Sequence, residues 1–193
     1  MNRFLVDELL TTPGLMRQHL LNALAIRVET LEFRTFDEGL CDARLYHCAR
    51  SSGATSAQAL VALLNHELHR VQEWAMEETT PEHVDDLIKH WLLPQLVDAR
   101  PTSINPQEAT LEITSMGDAI RNAILERRAD TRRPYHSDYW GIFLDGQPQP
   151  LDTPILPEQL TVPVLALQDS WNEKLYLCET RNAWLLYSWS TGA

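Results

Sequence analysis

The sequence has little glycine, lysine or cysteine, and each shortage argues against a class of function. Seven glycines in 193 residues leave no glycine-rich loop of the kind that cradles phosphates in nucleotide-binding proteins. Three cysteines, Cys41, Cys48 and Cys178, have no CxxC spacing, which is a poor disulfide framework and fits a reducing compartment. The chain also lacks a run of about 18 apolar residues that would predict a membrane span. We therefore expect a cytoplasmic protein.

The charge is strongly one-sided. The formal net charge is −11, and Lys89 and Lys174 are the two lysines among 16 basic residues. Binding to nucleic acid or to an anionic membrane needs clustered positive charge, so both are disfavoured. A basic partner protein is compatible with this charge. The 44% of hydrophobic residues is typical of a globular chain, which we expect to form a single domain over residues 1–193.

Apolar residues recur at helical spacing through most of the first 130 positions. This pattern predicts helices over residues 2–11, 14–35, 37–50, 56–78, 80–94 and 115–129. The segment 37–50 would place Cys41, Leu45 and Cys48 on its apolar face. The last of these helices would start at a capping box formed by Ser115 and Asp118. The proline-containing loop 98–110 is a possible internal boundary between a helical part and a helix-plus-sheet part.

After Pro134 the apolar period changes to two, which is typical of strands. Strands are predicted over residues 139–146, 161–167, 174–180 and 183–189. Helices followed by strands indicate an α+β fold. We expect an N-terminal helical bundle over about residues 2–130, followed by a small antiparallel sheet over about residues 139–190.

The stretch LLNHELHRVQEW, residues 63–74, partly resembles the zinc-protease motif. That motif needs two histidines four residues apart, whereas His66 and His69 are three apart. On a helical wheel both lie away from the apolar stripe, so we expect them to be exposed. His83 and His90 are seven apart, about 10.5 Å along a helix, too far to share one metal directly. We predict no metal site and no cofactor, with these four histidines as weak candidates.

Glu67 projects within the apolar stripe of the helix predicted over residues 56–78. A carboxylate buried without a partner is costly, so Glu67 should either be paired or lie at the exposed end of the stripe. Arg70, one turn further along, is the local candidate for an intrahelical salt bridge. The alternative is a functional carboxylate.

The sequence ERRADTRRPYH contains the basic cluster of this acidic chain. Its arginines are Arg127, Arg128, Arg132 and Arg133. Guanidinium forks can bind a phosphate or a carboxylate in bidentate fashion. The simpler interpretation is that these cations meet the negative end of a helix dipole and nearby acidic residues.

Aromatic residues crowd the C-terminal strands: Trp171, Tyr176, Trp184, Tyr187 and Trp189. Period two distributes them over both faces of the predicted sheet. Either both faces are covered, or one is a surface that binds a partner through its tryptophan and tyrosine anchors.

These observations favour a protein that binds another protein. We expect a specific inhibitor, an immunity-type protein or a dedicated chaperone that acts on a basic partner. No catalytic residue is predicted. One alternative is a metal-dependent or hydrolytic enzyme whose site of Glu67 and histidines is assembled between helices. Another is a structural component of a larger assembly, which would self-associate.

Overall fold

A computed structural model describes residues 3–11, 14–23, 25–35, 42–71, 88–92, 102–137 and 139–191. Within these ranges the helices are α1 (Arg3–Thr11), α2 (Leu15–Ala23), α3 (Ser56–Val71) and α4 (Pro106–Ala129), with a 3₁₀ turn at Arg50–Ser52 and a π-helical turn at Ile88–Leu92. The strands are β1 (Glu29–Thr35), β2 (Asp42–Ala49), β3 (Thr102–Ile104), β4 (Trp140–Leu144), β5 (Gln147–Gln149), β6 (Val164–Asp169), β7 (Glu173–Glu179) and β8 (Ala183–Ser190). They form one eight-stranded sheet in the order β3-β6-β7-β8-β2-β1-β4-β5.

The predicted helical bundle followed by a small sheet is wrong, because the sheet is the main element and includes the N-terminal half. β1 lies in the segment predicted as the helix 14–35, and β2 occupies most of the predicted helix 37–50. The two strands pair antiparallel from Glu29 opposite His47 to Arg34 opposite Asp42. Their alanine, leucine, glutamate and arginine residues have good helix propensity. Tertiary pairing overrides that local preference.

β2 lies inside the sheet. Its sequence therefore lacks the alternation of apolar and polar residues by which a strand is recognised. It pairs with β1 on one side and with β8 on the other. Ala43 and Leu45 point to one face, whereas Tyr46 and Cys48 point to the other, and all four are buried. A strand that is apolar on both faces shows no alternation. Cys41, which was predicted to share the apolar face of the helix 37–50 with Leu45 and Cys48, lies outside the described residues.

Helices cover both faces of the sheet. On one, the α3 face, α3 packs on β2 and β8, and α1 and α2 pack on α3, in a core that includes Tyr46, Leu177 and Leu186. On the other, the α4 face, α4 packs against Phe33, Tyr176 and Leu185. Each buried residue of the sheet therefore belongs to one of two cores, according to its position in the period of two.

The helix α4 begins nine residues before the predicted capping box at Ser115. The true N-cap is Asn105, whose side chain accepts a hydrogen bond of 2.8 Å from the N–H of Gln107, and Pro106 stands in the first turn. Both are typical of a helix start. The buried stripe is Ala109, Ile113, Gly117, Ile120 and Ile124.

The segment 98–110 was a possible internal boundary. Strands from both sides of it join the same sheet.

The C-terminal strand predictions agree with the structure. β4 ends at a tight turn in which Asp145 and Gly146 have φ of 47° and 75°, as expected of an Asp-Gly turn. The next three predicted strands are β6, β7 and β8. The predicted helix 80–94 lies mostly outside the described residues. Among the helices that are described, none has the length and apolar character needed to cross a membrane.

Replacing Ala43 by glutamate tests the strand assignment of β2. Ala43 is fully buried on the α4 face, opposite Phe33 on β1 and Trp189 on β8. We expect Ala43→Glu to lower the free energy of unfolding by at least about 3 kcal/mol, because a carboxylate would be buried there. If residues 37–50 formed the predicted helix, Ala43 would lie roughly 165° from its apolar face. The substitution would then lower the free energy of unfolding by less than about 0.5 kcal/mol.

Urea unfolding followed by tryptophan fluorescence measures this difference. Ala25→Glu, at an exposed position, is the matched control and should leave the midpoint nearly unchanged. Equal midpoints for the two variants would contradict the strand assignment.

Candidate functional site

Glu67 lies on the α3 face with its carboxylate hydrogen-bonded to the sheet. The Tyr46 hydroxyl donates to Oε2, and the Ser188 hydroxyl donates to Oε1 over 2.9 Å. The prediction that Glu67 would be paired is confirmed, with partners on β2 and β8. The side chain of Arg70, the partner expected from the sequence, lies outside the described residues. Two hydroxyl donors satisfy a carboxylate and anchor α3 to the sheet.

A row of charged side chains continues across the same face. Arg44 is 8% exposed and stands opposite Glu32 on β1 and Ser188 on β8. Its Nε lies 3.4 Å from a carboxylate oxygen of Glu32, and its Nη2 pairs with Asp42. Buried charges in proteins are normally paired in this way. The row therefore satisfies its own charges, and nothing in its geometry requires a ligand.

Of the four candidate histidines, His66 and His90 have side chains that the structure describes. The ring of His66 is half-buried, and its Nδ1 lies 3.3 Å from the carbonyl oxygen of Ala62 on the same helix. Burial lowers the pKa of His66. His90 is exposed, whereas the side chain of His69 and all of His83 lie outside the described residues. Within the described part of the chain, no group of three His, Cys, Asp or Glu side chains could hold a metal ion.

Four of the five C-terminal aromatic residues pack into the protein. Tyr176, Tyr187 and Trp189 are buried on the α4 face. Trp184 is half-buried on the α3 face, with the guanidinium of Arg50 stacked 4.0 Å from its ring centroid. The last strand, β8, pairs on both sides, so its backbone does not offer a free edge. Both faces being covered, these four side chains contribute to the cores.

Trp171 is different, because it stands 74% exposed in the turn between β6 and β7. Hydrogen bonds hold this turn. The N–H of Ser170 donates to the carbonyl of Glu173 over 2.9 Å, and the N–H of Glu173 donates to the Ser170 hydroxyl over 3.1 Å. The N–H of Thr191 donates to the carbonyl of Asn172 over 3.0 Å. The turn therefore presents an exposed indole from an ordered backbone.

Carboxylates surround the base of this turn. The buried hydroxyl of Tyr176 lies 2.9 Å from a carboxylate oxygen of Glu112 and 3.0 Å from one of Asp169, so its one proton is shared between the two acceptors. The ammonium of Lys174 lies 3.2 Å from Glu112 and also pairs with Asp169. Burial, together with the two carboxylates that accept from it, raises the pKa of Tyr176. This network, the carboxylate cluster of Glu112, Asp169, Lys174 and Tyr176, ties the turn to α4.

Three of the four arginines of the basic cluster line one cleft at the end of α4. Arg127, Arg132 and Arg133 line an open cleft of about 730 Å³ together with Trp140. Arg128 lies beside the cleft, where its Nε donates to the Tyr135 hydroxyl over 2.9 Å.

Neither described cysteine is placed for nucleophilic catalysis. Cys48 and Cys178 are free and buried. Burial raises the pKa of the Cys178 thiol to about 12 and also raises that of Cys48. The thiolate is the reactive form, so both side chains serve as small apolar core residues.

Comparison with known protein families, with curated proteins and with solved structures finds no significant match. Candidate sites are therefore identified from geometry alone, and they are the Trp171 turn and the arginine cleft. Sequence reading named the residues of both. It missed the carboxylate cluster, because Glu112 of α4 and Asp169 of β6 are joined through Tyr176 and Lys174 of β7, which no local pattern shows.

The carboxylate cluster predicts a pH dependence. The Lys174 ammonium, followed by the Tyr176 hydroxyl, holds the pKa of Asp169 below its usual range. A lowered pKa means that Asp169 contributes stability above its unfolded pKa of about 3.9 and loses that contribution as the pH falls through the folded value. We expect Asp169→Asn to destabilise the protein at pH 7 by less than about 1 kcal/mol, since the side chain is partly exposed.

Urea unfolding of the wild type and of Asp169→Asn across the acid range measures this effect. The difference in free energy of unfolding should shrink below about pH 4. Asp152→Asn, at an exposed position, is the control and should give a smaller difference at pH 7. A difference that grows on acidification would contradict the sign.

Proposed function

We propose that this protein binds a basic partner protein, with Trp171 as the central contact. The observation that supports this most directly is the 74% exposure of Trp171 in a turn fixed by hydrogen bonds. Tryptophan is strongly enriched among the residues that dominate binding energy at protein interfaces. Among the described residues, Trp171 is the most exposed of the large apolar side chains.

The hydrogen bonds that fix the backbone of this turn favour binding. Fixing a flexible loop on association costs conformational entropy, and a preformed contact avoids most of that cost. Both flanking strands are paired, and the turn is tied to Thr191 beyond the end of β8. An indole on such a support can enter a pocket of the partner with little rearrangement.

The charge around Trp171 suits a basic partner. Glu112, Asp169 and Glu173 supply three carboxylates near the turn, and Lys174 compensates for one of them. The whole chain carries a formal net charge of −11. Such a field accelerates encounter with a positively charged surface, whereas burial of the indole slows dissociation.

One specific anchor within an acidic surface is the arrangement expected of an inhibitor, an immunity-type protein or a dedicated chaperone. Each recognises one partner and needs no catalytic group. The free, buried state of Cys48 and Cys178 supports action in a reducing compartment, and we place the protein in the cytoplasm.

Trp171→Ala tests this proposal. The variant should fold as the wild type does, because the indole is exposed and makes little contribution to the core. We expect its affinity for the partner to fall by roughly tenfold to a hundredfold. The measurement begins with capture from native lysate on the immobilised full chain, compared by quantitative mass spectrometry between the wild type and the variant. The captured protein is then purified and its Kd determined at low and at high salt.

Tyr139→Ala is the matched control, because Tyr139 is also aromatic and 55% exposed but lies in the segment before β4. The proposal expects a basic protein that the wild type and Tyr139→Ala retain, that Trp171→Ala loses, and whose affinity falls at high salt. Equal retention by all three, or an acidic partner that is insensitive to salt, would contradict it.

A further inference from the structure

A β-bulge near the end of β6 sets the direction of the side chains that lead into the turn between β6 and β7. Ala166 lies opposite Tyr176, whereas Asp169 lies opposite Lys174, so one residue on β6, Leu167, is extra. Side chains of a strand alternate between its faces, and an extra residue reverses that alternation. Without the bulge, Asp169 would point away from α4. With it, Asp169 lies on the α4 face beside Lys174.

The contacts of the side chains on the two faces agree with this direction. On the α4 face, Asp169 pairs with the ammonium of Lys174 and lies 3.0 Å from the hydroxyl oxygen of Tyr176. On the opposite face, the side chain of Gln168 donates to the carboxylate of Glu173. The bulge therefore supplies the carboxylate cluster with Asp169.

Lys174 joins three elements of the structure. From β7, its ammonium lies 3.2 Å from Glu112 of α4 and also pairs with Asp169 of β6. The side chain is 20% exposed, so water and salt screen these pairs less than pairs on the surface. Burial lowers the pKa of Lys174, but the hydrogen bonds to Asp169 and Glu112 outweigh it and raise the pKa above its usual value. The ammonium is therefore charged at neutral pH and holds together two carboxylates that repel each other.

The same ion pair closes the turn that carries Trp171. Asp169 is the last residue of β6, Lys174 lies opposite it, and residues 170–173 form the turn between them. Because Trp171 is 74% exposed, its direction depends on the backbone at the two ends of the turn. Without the ammonium, Glu112 and Asp169 would be left as neighbouring like charges, which repel. The base of the turn would then be less firmly held against α4.

We propose that Lys174 is a positioning residue for Trp171, whose ammonium fixes the direction in which the turn presents the indole to the partner. This inference rests on the proposed function, because it concerns the same contact. The hydrogen bonds within the turn hold its internal shape, whereas the pairs of Lys174 orient it against α4. Charge alone would give Lys174 the opposite effect, since a cation in an acidic surface repels a basic partner. The two roles therefore predict opposite changes in affinity when Lys174 is replaced.

Lys174→Gln tests the positioning role by fluorine NMR of the full chain labelled with 5-fluorotryptophan. The Trp171 resonance is the one that Trp171→Phe lacks, and the resonances of the buried Trp140 and Trp189 report on the fold. In Lys174→Gln we expect the transverse relaxation rate of Trp171 to fall by about a third, the change from a rigid to a flexible order parameter. The rates of Trp140 and Trp189 should stay as in the wild type.

Lys89→Gln is the matched control, because it makes the same change of charge at an exposed lysine in another part of the chain. The relaxation rate of Trp171 should not change in this variant. Glu112→Gln removes the α4 end of the bridge at a carboxylate that is 38% exposed, and it should also lower the rate of Trp171. This second variant decides the question if Lys174→Gln does not fold.

The basic protein captured in the Trp171→Ala experiment provides the second measurement. Positioning predicts that its Kd rises roughly threefold to tenfold in Lys174→Gln, since a loosened side chain must be immobilised on binding. The Kd for Lys89→Gln should stay within about twofold of the wild type.

Two outcomes would overturn this inference. One is an unchanged relaxation rate of Trp171 in the folded Lys174→Gln and Glu112→Gln variants. The other is tighter binding of the partner by Lys174→Gln, which would leave the effect of charge alone. Either outcome, combined with a loss of affinity in Trp171→Ala, would contradict the positioning role and keep the proposed function. Absence of a partner that depends on Trp171 would contradict the proposed function, whatever the relaxation rates.

Discussion

The pairing of β2 with β8 is the contact on which the rest of the structure depends. It joins residues about 140 positions apart over the whole length of both strands, from Asp42 opposite Ser190 to Ala49 opposite Ala183. Without it, the sheet would divide into two four-stranded parts, β3-β6-β7-β8 and β2-β1-β4-β5. Closing so long a loop is costly in chain entropy. That cost is offset by burial on two faces at once, because alternate residues of both strands enter the two cores.

The same pairing determines which aromatic side chains are buried in the two cores. A terminal strand at an edge could have presented its tryptophans, but β8 lies inside the sheet. Its aromatic residues face the helices of the two layers. The strands at the ends of the sheet, β3 and β5, are three residues long, which limits strand addition by another chain. Among the described residues, the most exposed large apolar side chain is Trp171, in the turn between β6 and β7, and it is there that we propose a partner binds.

Sequence reading succeeded where local chemistry determines structure and failed where distant packing does. The strands β6, β7 and β8 follow from alternation and short turns, and the pairing of Glu67 follows from the cost of burying a carboxylate. β1 and β2 were misread because their composition favours helix and β2 is buried on both faces. Of the two candidate sites, the residues Trp171, Arg127, Arg132 and Arg133 were visible in the sequence. The order of the turn and the shape of the cleft depend on long-range contacts to Thr191 and Trp140.

The charges along α4 follow the direction of the helix dipole and the return of the chain after the helix. Glu108 lies in its first turn, and Arg127 and Arg128 lie in its last turn, as the helix dipole favours. That effect falls off within the terminal turn, so it accounts for these two arginines. Arg132 and Arg133 lie beyond the end of the helix and line the cleft from the returning loop. Arg132 pairs there with Asp130, so its guanidinium has a structural role at the end of the helix.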